Sequence, residues 1–134
     1  MWVVKKTIDV AAAAIIRDGT YLITQRMDKA VFPGLWEFPG GKVEDGEEPA
    51  VALSRELSYR LGVEARIGEK ISERPREYDN YIVTLHLFSC ELGDAEPQAE
   101  QVAALAWVSS DELGSYEFVP ADQESMDRLL EEGH

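Results

Sequence analysis

The sequence is poor in cysteine, in basic residues and in long apolar runs, and each shortage excludes a class of protein. Cys90 is the single cysteine in 134 residues, which excludes an internal disulfide framework and fits a reducing compartment. No apolar run approaches the roughly 20 residues that a membrane-spanning helix needs, and the first residues do not follow a signal-peptide pattern. We therefore expect a cytoplasmic protein that does not act in a membrane.

Basic residues are outnumbered two to one, 13 against 26 acidic residues, and the formal net charge is -13. A surface of this sign repels nucleic-acid polymers and anionic membranes. It would also repel a small polyphosphate, unless bound metal or a local group of cations neutralises it. The chain offers four basic residues for such a group: Arg26, Lys42, Arg55 and Arg60. With 45% hydrophobic residues, the length predicts one domain, residues 1–134, with its own core.

Several segments have strand or helix patterns. Residues 7–16 and 20–26 predict a hairpin, because Asp18-Gly19 is a strong turn signal between two apolar runs. Residues 81–92 alternate between two faces and give the strongest strand pattern in the chain. Further strands are predicted at 63–73, ended by Pro75, and at 103–108, with helices at 109–113 and 122–132. Among these residues, His86 and Cys90 are expected to be packed rather than to bind metal.

Residues 40–63 combine a glycine loop with an acidic helix. Gly40 and Gly41 allow the chain to turn closely around a ligand, while Pro49 and Gly62 suit the first turn and the C-terminal cap of a helix. An apolar stripe on that helix predicts its buried face: Ala50, Leu53, Leu57 and Leu61. The other face is then available for function: Glu48, Ala52, Glu56, Tyr59 and Arg60.

The spacing of these residues resembles the Nudix box. Gly41, five residues, Glu47, seven residues, Arg55-Glu56-Leu57 and then Gly62-Val63 follow the box pattern over residues 41–63. The preceding residues 33–44, PGLWEFPGGKVE, are similar to those of the MutT and CTP-pyrophosphohydrolase branch. The resemblance implies an α/β/α sandwich with a mixed β-sheet between helices. It also implies hydrolysis of a nucleoside triphosphate, or of another nucleoside-diphosphate derivative, by water with Mg²⁺ or Mn²⁺ as the cofactor.

The resemblance assigns candidate roles to individual residues. As metal ligands it implies the Gly40 carbonyl, Glu56 and Glu100, and as further catalytic residues Glu47 and Arg55, with Arg55 orienting Glu56. As substrate contacts the resemblance implies Arg26 and Asp122. Four further candidates follow from their own chemistry, as aromatic faces or as cations: Trp36, Phe38, Lys42 and Arg60. For Trp36 and Phe38, packing in the core is the alternative, and Asp122 has a second possible role as a helix cap. Glu100 is one residue further from Trp107 than the family pattern places its glutamate, which is the position of Gln101.

The chain departs from the box where the family has two successive glutamates, since Tyr59 and Arg60 occupy those positions. Three interpretations of this change remain open. Glu56 and Arg60 form a helical ion pair, or Arg60 binds a phosphate. In the third, one metal ion is held by Glu56, a backbone oxygen and carboxylates outside the helix, for which the candidates are Glu44, Glu47, Glu48 and Glu100.

Two alternatives to an enzyme remain. The first is a nucleotide-binding or sensing module that has lost catalysis, and the second, weaker one is an interaction protein with Tyr59 at a protein contact. The expected partner is a small-molecule nucleotide, and the protein is expected to be a monomer or a homodimer.

Overall fold

The computed structural model describes residues 5–120, and its first two strands form the predicted hairpin. Strand β1 spans Lys6–Arg17 and β2 spans Thr20–Gln25. Asp18 and Gly19 between them have φ angles of 53° and 77°, and the two-residue turn that needs positive φ at both positions matches the twist of the strands. The other strands, in chain order, are β3 Trp36–Glu37, β4 Gly40–Lys42, β5 Arg66–Glu77, β6 Tyr81–Glu91 and β7 Ala104–Ser109.

The strands form a mixed sheet in the order β3-β2-β1-β6-β5, with β4 paired to β1 and β7 paired to β2. The ladder between β1 and β6 is parallel, with Ala11 opposite His86. All the other ladders of the described strands are antiparallel. The mixed sheet expected from the sequence is therefore confirmed, and β1 is its central strand.

One helix, α1 at Pro49–Leu61, packs on one face of the sheet. Gly62 closes its C-terminus in the left-handed conformation, with φ 68°. The predicted stripe of Leu53, Leu57 and Leu61 is buried in a core with β1 and β6. The helix buries more than that stripe, because Ala52 and Glu56 are also buried. Placing Ala52 on the functional face was wrong, since its methyl group faces the interior.

The opposite face of the sheet has its own core, which includes Tyr21, Phe38 and Leu87. Strand β6 contributes to both cores as its alternation predicts, with Leu85 and Leu87 on this side and Phe88 and Cys90 on the α1 side. The helix predicted at 122–132, which would complete the second helical layer, lies outside the described residues. Among residues 5–120, no helix is long and apolar enough to cross a membrane.

Two predicted boundaries were wrong. Strand β5 continues through Pro75, which pairs with Thr84 of β6. Because β5 is the edge strand of the sheet, a residue without a backbone N–H is tolerated there. The helix predicted at 109–113 is absent from that position, since a turn occupies it and a single 3-10 turn follows at Leu113–Ser115. The Ser109 hydroxyl bonds the Glu112 side chain instead of capping a helix.

Candidate active site

The glycines of β4 bring the box loop against the centre of the sheet. A Cβ on Gly40 would overlap the backbone of Ala11 and Ala12, and a Cβ on Gly41 would overlap the Glu56 carboxyl group. Neither glycine has a positive φ among the residues described. They are needed for close approach rather than for an unusual backbone conformation, and the space they leave is occupied by β1 and by Glu56.

Arg55 joins the loop to the helix. Its Nε and Nη2 each donate to Glu47 at 2.9 Å, its Nη2 also donates to the Lys42 carbonyl at 3.0 Å, and its Nη1 donates to Glu56 at 2.8 Å. The hydrogen bonds from Arg55 lower the pKa of Glu47 to about 2, and the same bonds raise the pKa of Arg55. A planar guanidinium suits this arrangement, because its donors diverge in one plane towards several acceptors.

Glu56 lies between two arginines. Its second oxygen accepts from Nε of Arg60 at 2.7 Å, and its side chain is 10% exposed. The helical ion pair that was one interpretation of Arg60 is therefore confirmed. Tyr59 points away from the core and is 61% exposed.

A second ion pair, between Arg26 and Glu37, lies next to the first. Nη1 of Arg26 is 3.0 and 3.2 Å from the two Glu37 oxygens, and its Nε donates to the Val31 carbonyl. Burial raises the pKa of the Glu37 carboxyl, an effect that Arg26 only partly offsets; Arg60 also lowers this pKa and Glu56 raises it. Sequence reasoning did not single out Glu37. No local sequence pattern marks Glu37 as a site residue, because it reaches Arg26 only through the pairing of β3 with the end of β2, where Glu37 lies opposite Thr24.

Three adjoining cavities meet at Arg26. The glycine cleft, of about 180 Å³, includes Glu37, Gly40, Gly41, Lys42 and Arg60. The aromatic pocket, of about 220 Å³, includes Tyr78, Tyr81, Val83, Leu85 and Phe32 and shares Arg26 and Glu37 with the cleft. The basic pocket, of about 370 Å³, is lined by Arg26, Met27, Lys29, Ala30, Tyr59, Arg60, Gln101 and Val102. An anionic group and an apolar group of one ligand could therefore bind side by side.

The two aromatic residues predicted to contact the substrate, Trp36 and Phe38, differ in how they are packed. Phe38 is 1% exposed and packs against Tyr21 and Phe118, which supports the packing interpretation rather than base stacking. Trp36 is half-buried, and its ring lies edge-on to Tyr116 at 5.1 Å. Asp122 lies outside the described residues.

Glu100 and Gln101 lie at the C-terminal end of α1. Their backbone N–H groups donate to the Arg60 carbonyl at 3.1 and 3.0 Å, and the Glu100 carboxyl lies where a Cβ on Gly62 would be. Gln101, one residue nearer to Trp107, lines the basic pocket. The loop thus supplies hydrogen-bond donors to backbone carbonyls in the last turn of α1. Glu100 lies beside Gly62 and is not among the residues that line the three cavities.

A model of the NUDIX domain matches residues 11–128. The chain belongs to the Nudix family. It is 43% identical over 117 residues to the CTP pyrophosphohydrolase of Escherichia coli, covering 87% of each chain. It is 35% identical over 131 residues to the 8-oxo-dGTP diphosphatase of Haemophilus influenzae, covering 97% of this chain and 96% of the relative.

Solved Nudix structures have the same fold. The solution structure of the Escherichia coli ORF135 protein matches with a TM-score of 0.81 at 40% identity, over 94% of this chain and 90% of that one. The MutT structure from a methicillin-resistant Staphylococcus aureus matches with a TM-score of 0.78 at 35% identity, over 96% and 99%. These likenesses confirm the MutT-like branch and the mixed α/β fold. The named relatives are hydrolases, so the chain is a Nudix hydrolase, and the non-catalytic alternative is not supported.

Nudix hydrolases generally use divalent metal ions, but the described carboxylates do not fit a site for several of them. No three His, Cys, Asp or Glu side chains within residues 5–120 are grouped as metal ligands. Both oxygens of Glu56 already accept from arginines, and Arg60 places a permanent cation where a metal ion would need an anionic ligand. The expected set of Gly40, Glu56 and Glu100 stays a prediction.

Proposed function

We propose that this Nudix hydrolase cleaves a nucleoside triphosphate, or another nucleoside-diphosphate derivative, at the pyrophosphate linkage. The observation that carries the proposal is the pairing of an aromatic pocket with a charged cleft, with Arg26 and Glu37 forming part of both. A nucleotide has the same two parts, a flat base and a chain of phosphates. The named activities of the relatives, on CTP and on 8-oxo-dGTP, support this substrate class.

The base would bind in the aromatic pocket. Tyr78 and Tyr81 stack on each other there, with ring centroids 5.0 Å apart and an angle of 25° between the planes. Aromatic faces of this kind accept a base by stacking without selecting one strictly. The pocket therefore favours a nucleoside over a sugar phosphate or inorganic polyphosphate as the whole substrate.

The phosphates would lie along the glycine cleft, where the arginines can neutralise the charge that accumulates as the pyrophosphate leaves. Glu56 is one candidate carboxylate beside the cleft, because it contacts Arg60 of the cleft lining and two guanidinium groups hold its two oxygens. Glu37 is a second candidate to accept a proton from the attacking water, since a carboxyl group with a raised pKa is a better base near neutral pH. Arg55 is a positioning residue for Glu56 and Glu47.

The experiment is an assay of pyrophosphate and phosphate release from a panel of nucleotides, including CTP and 8-oxo-dGTP. Each is tested with Mg²⁺, with Mn²⁺ and with chelator, since these are the two cations expected for the class. We expect release of pyrophosphate from at least one triphosphate and a loss of that release in Glu56→Gln. Absence of turnover across the panel, together with a melting temperature that rises on adding a nucleotide, would contradict the proposal and indicate a binding module.

A further inference from the structure

The lining of the basic pocket is basic, although the chain as a whole is acidic. Three of its described lining residues are basic, namely Arg26, Lys29 and Arg60, and none of them is acidic. The whole chain, by contrast, has a formal net charge of -13. The cavity has a volume of about 370 Å³. Arg26 and Arg60 are each paired with a carboxylate outside the lining, Glu37 and Glu56, so attraction for a small anion comes from Lys29 and from the guanidinium donors that these pairs leave unused.

Two of the basic residues in this pocket, Arg60 and Lys29, have nitrogen donors that no described residue accepts from. Arg60 uses its Nε on Glu56, and within residues 5–120 its two terminal nitrogens have no hydrogen-bond partner, nor does Nζ of Lys29. Fixing Nε holds the guanidinium plane in place and leaves the terminal nitrogens to bind a second, incoming anion. Paired donors in one plane match two oxygens of a phosphate group.

Glu56 gives Arg60 this fixed position. The carboxylate is buried and is held in turn by Arg55 at 2.8 Å, so the Arg60 side chain is anchored through a chain of ion pairs to the box loop. Tyr59 and Gln101 flank the pocket and add a hydroxyl and an amide that can donate to further oxygens. The site is thus built from charge and from hydrogen-bond donors, with no described carboxylate in its lining.

We propose that the basic pocket binds the terminal phosphates of the substrate directly, with Arg60 as a built-in cation in the place of a metal ion. The inference rests on the proposed function, which supplies a substrate with such phosphates. Its consequence is that polyphosphate binds to this Nudix hydrolase without a divalent cation, whatever the cation requirement of the hydrolytic step.

The test is calorimetric titration of the full chain with inorganic pyrophosphate in excess chelator. Wild type should bind saturably, and Arg60→Gln should weaken binding by about tenfold or more, because a charge-assisted two-pronged contact is lost. Lys29→Gln should weaken it less, since its ammonium is a point charge on a flexible chain. Arg66→Gln is the matched control: Arg66 is exposed on β5 and lines none of the three cavities, so binding should not change.

Two results would overturn the inference: binding that requires Mg²⁺, or binding that Arg60→Gln leaves at wild-type strength. Should Arg60→Gln fail to fold, Arg60→Lys provides the test, because it keeps the charge but cannot form the two-pronged contact. Weakened binding by Arg60→Lys supports the inference, and wild-type affinity contradicts it.

The proposed hydrolytic function and the proposed role of Arg60 can fail independently of each other. Pyrophosphate binding through Arg60 without turnover of any nucleotide refutes the hydrolytic function alone, and turnover with Mg²⁺-dependent pyrophosphate binding refutes the role of Arg60 alone.

Discussion

The two halves of the box use charge in different ways. In the front half, residues 41–56, Arg55 donates to both Glu47 and Glu56 and so holds the loop on the helix. In the rear half, residues 57–63, Tyr59 and Arg60 line an open pocket. The front half thus uses its charges within the protein, while the rear half presents them to a ligand. Arg60 belongs to both, because its Nε is paired with Glu56 while its side chain lines the pocket. A change of sign in the rear half therefore changes what the pocket attracts.

The strongest test of this difference is Glu56→Gln, at the junction of the halves. We expect hydrolysis to fall by roughly 100-fold or more, as for loss of a positioned acid or base. The measurement is kcat/KM on the best nucleotide of the panel, with circular dichroism to confirm folding. A variant that keeps the wild-type rate would mean that Glu56 serves only to hold Arg55 and Arg60.

The next largest effect is expected from Arg55→Lys in the front half. A single ammonium cannot reach Glu47, Glu56 and the Lys42 carbonyl together, so the loop should loosen and kcat should fall by about tenfold. Steady-state kinetics and thermal denaturation measure the two consequences. Arg66→Lys provides the control for the chemical change itself. Unchanged kcat in Arg55→Lys would show that the loop does not depend on this set of bonds.

Reversing the charge of the rear half should have its main effect on what the basic pocket binds. Tyr59→Glu combined with Arg60→Glu should abolish pyrophosphate binding in chelator and create affinity for Mn²⁺, since three carboxylates would then share one helix face. Titration with Mn²⁺ measures the gain. Ser54→Glu with Ser58→Glu, at exposed positions of α1, adds acidic charge elsewhere on the helix and should give neither result.

The smallest expected effect is on stability in acid. The pKa of Glu47 is about 2 in the folded protein, against about 4.3 for an unperturbed glutamate. Its contribution to the free energy of unfolding is therefore fully present above about pH 4.3 and is lost as the pH falls towards 2. Denaturation midpoints between pH 6 and 3 should decrease less in Glu47→Gln than in wild type. Parallel decreases would show that other acids dominate.

The sequence predicted what depends on near neighbours. Asp18-Gly19 specifies its turn locally, the alternation of β6 follows from the period of a strand, and the pair of Glu56 with Arg60 follows from the helical spacing of four residues. These features need no knowledge of the rest of the fold, and the structure has all three of them.

What the sequence did not predict depends on distant partners. Glu37 belongs to the site only because β3 pairs with the end of β2, which places it beside Arg26. Pro75 continues a strand only because β5 is at the edge of the sheet. The role of Gly40 is set by its distance from Ala11, on a strand far earlier in the chain. Each of these three placements depends on the order of the strands in the sheet, and the spacing of apolar residues along the sequence does not reveal that order.

The parallel ladder between β1 and β6 has a consequence for how the chain reaches this fold. Ala11 can meet His86 only after the intervening segment has been closed into a loop, which is a slow kind of contact to form. The antiparallel neighbours β5 and β6 are close in sequence and can pair early. Since Val10 of β1 lines the aromatic pocket together with Val83 and Leu85 of β6, we expect that pocket to assemble late, and during synthesis only after Glu91 has left the ribosome.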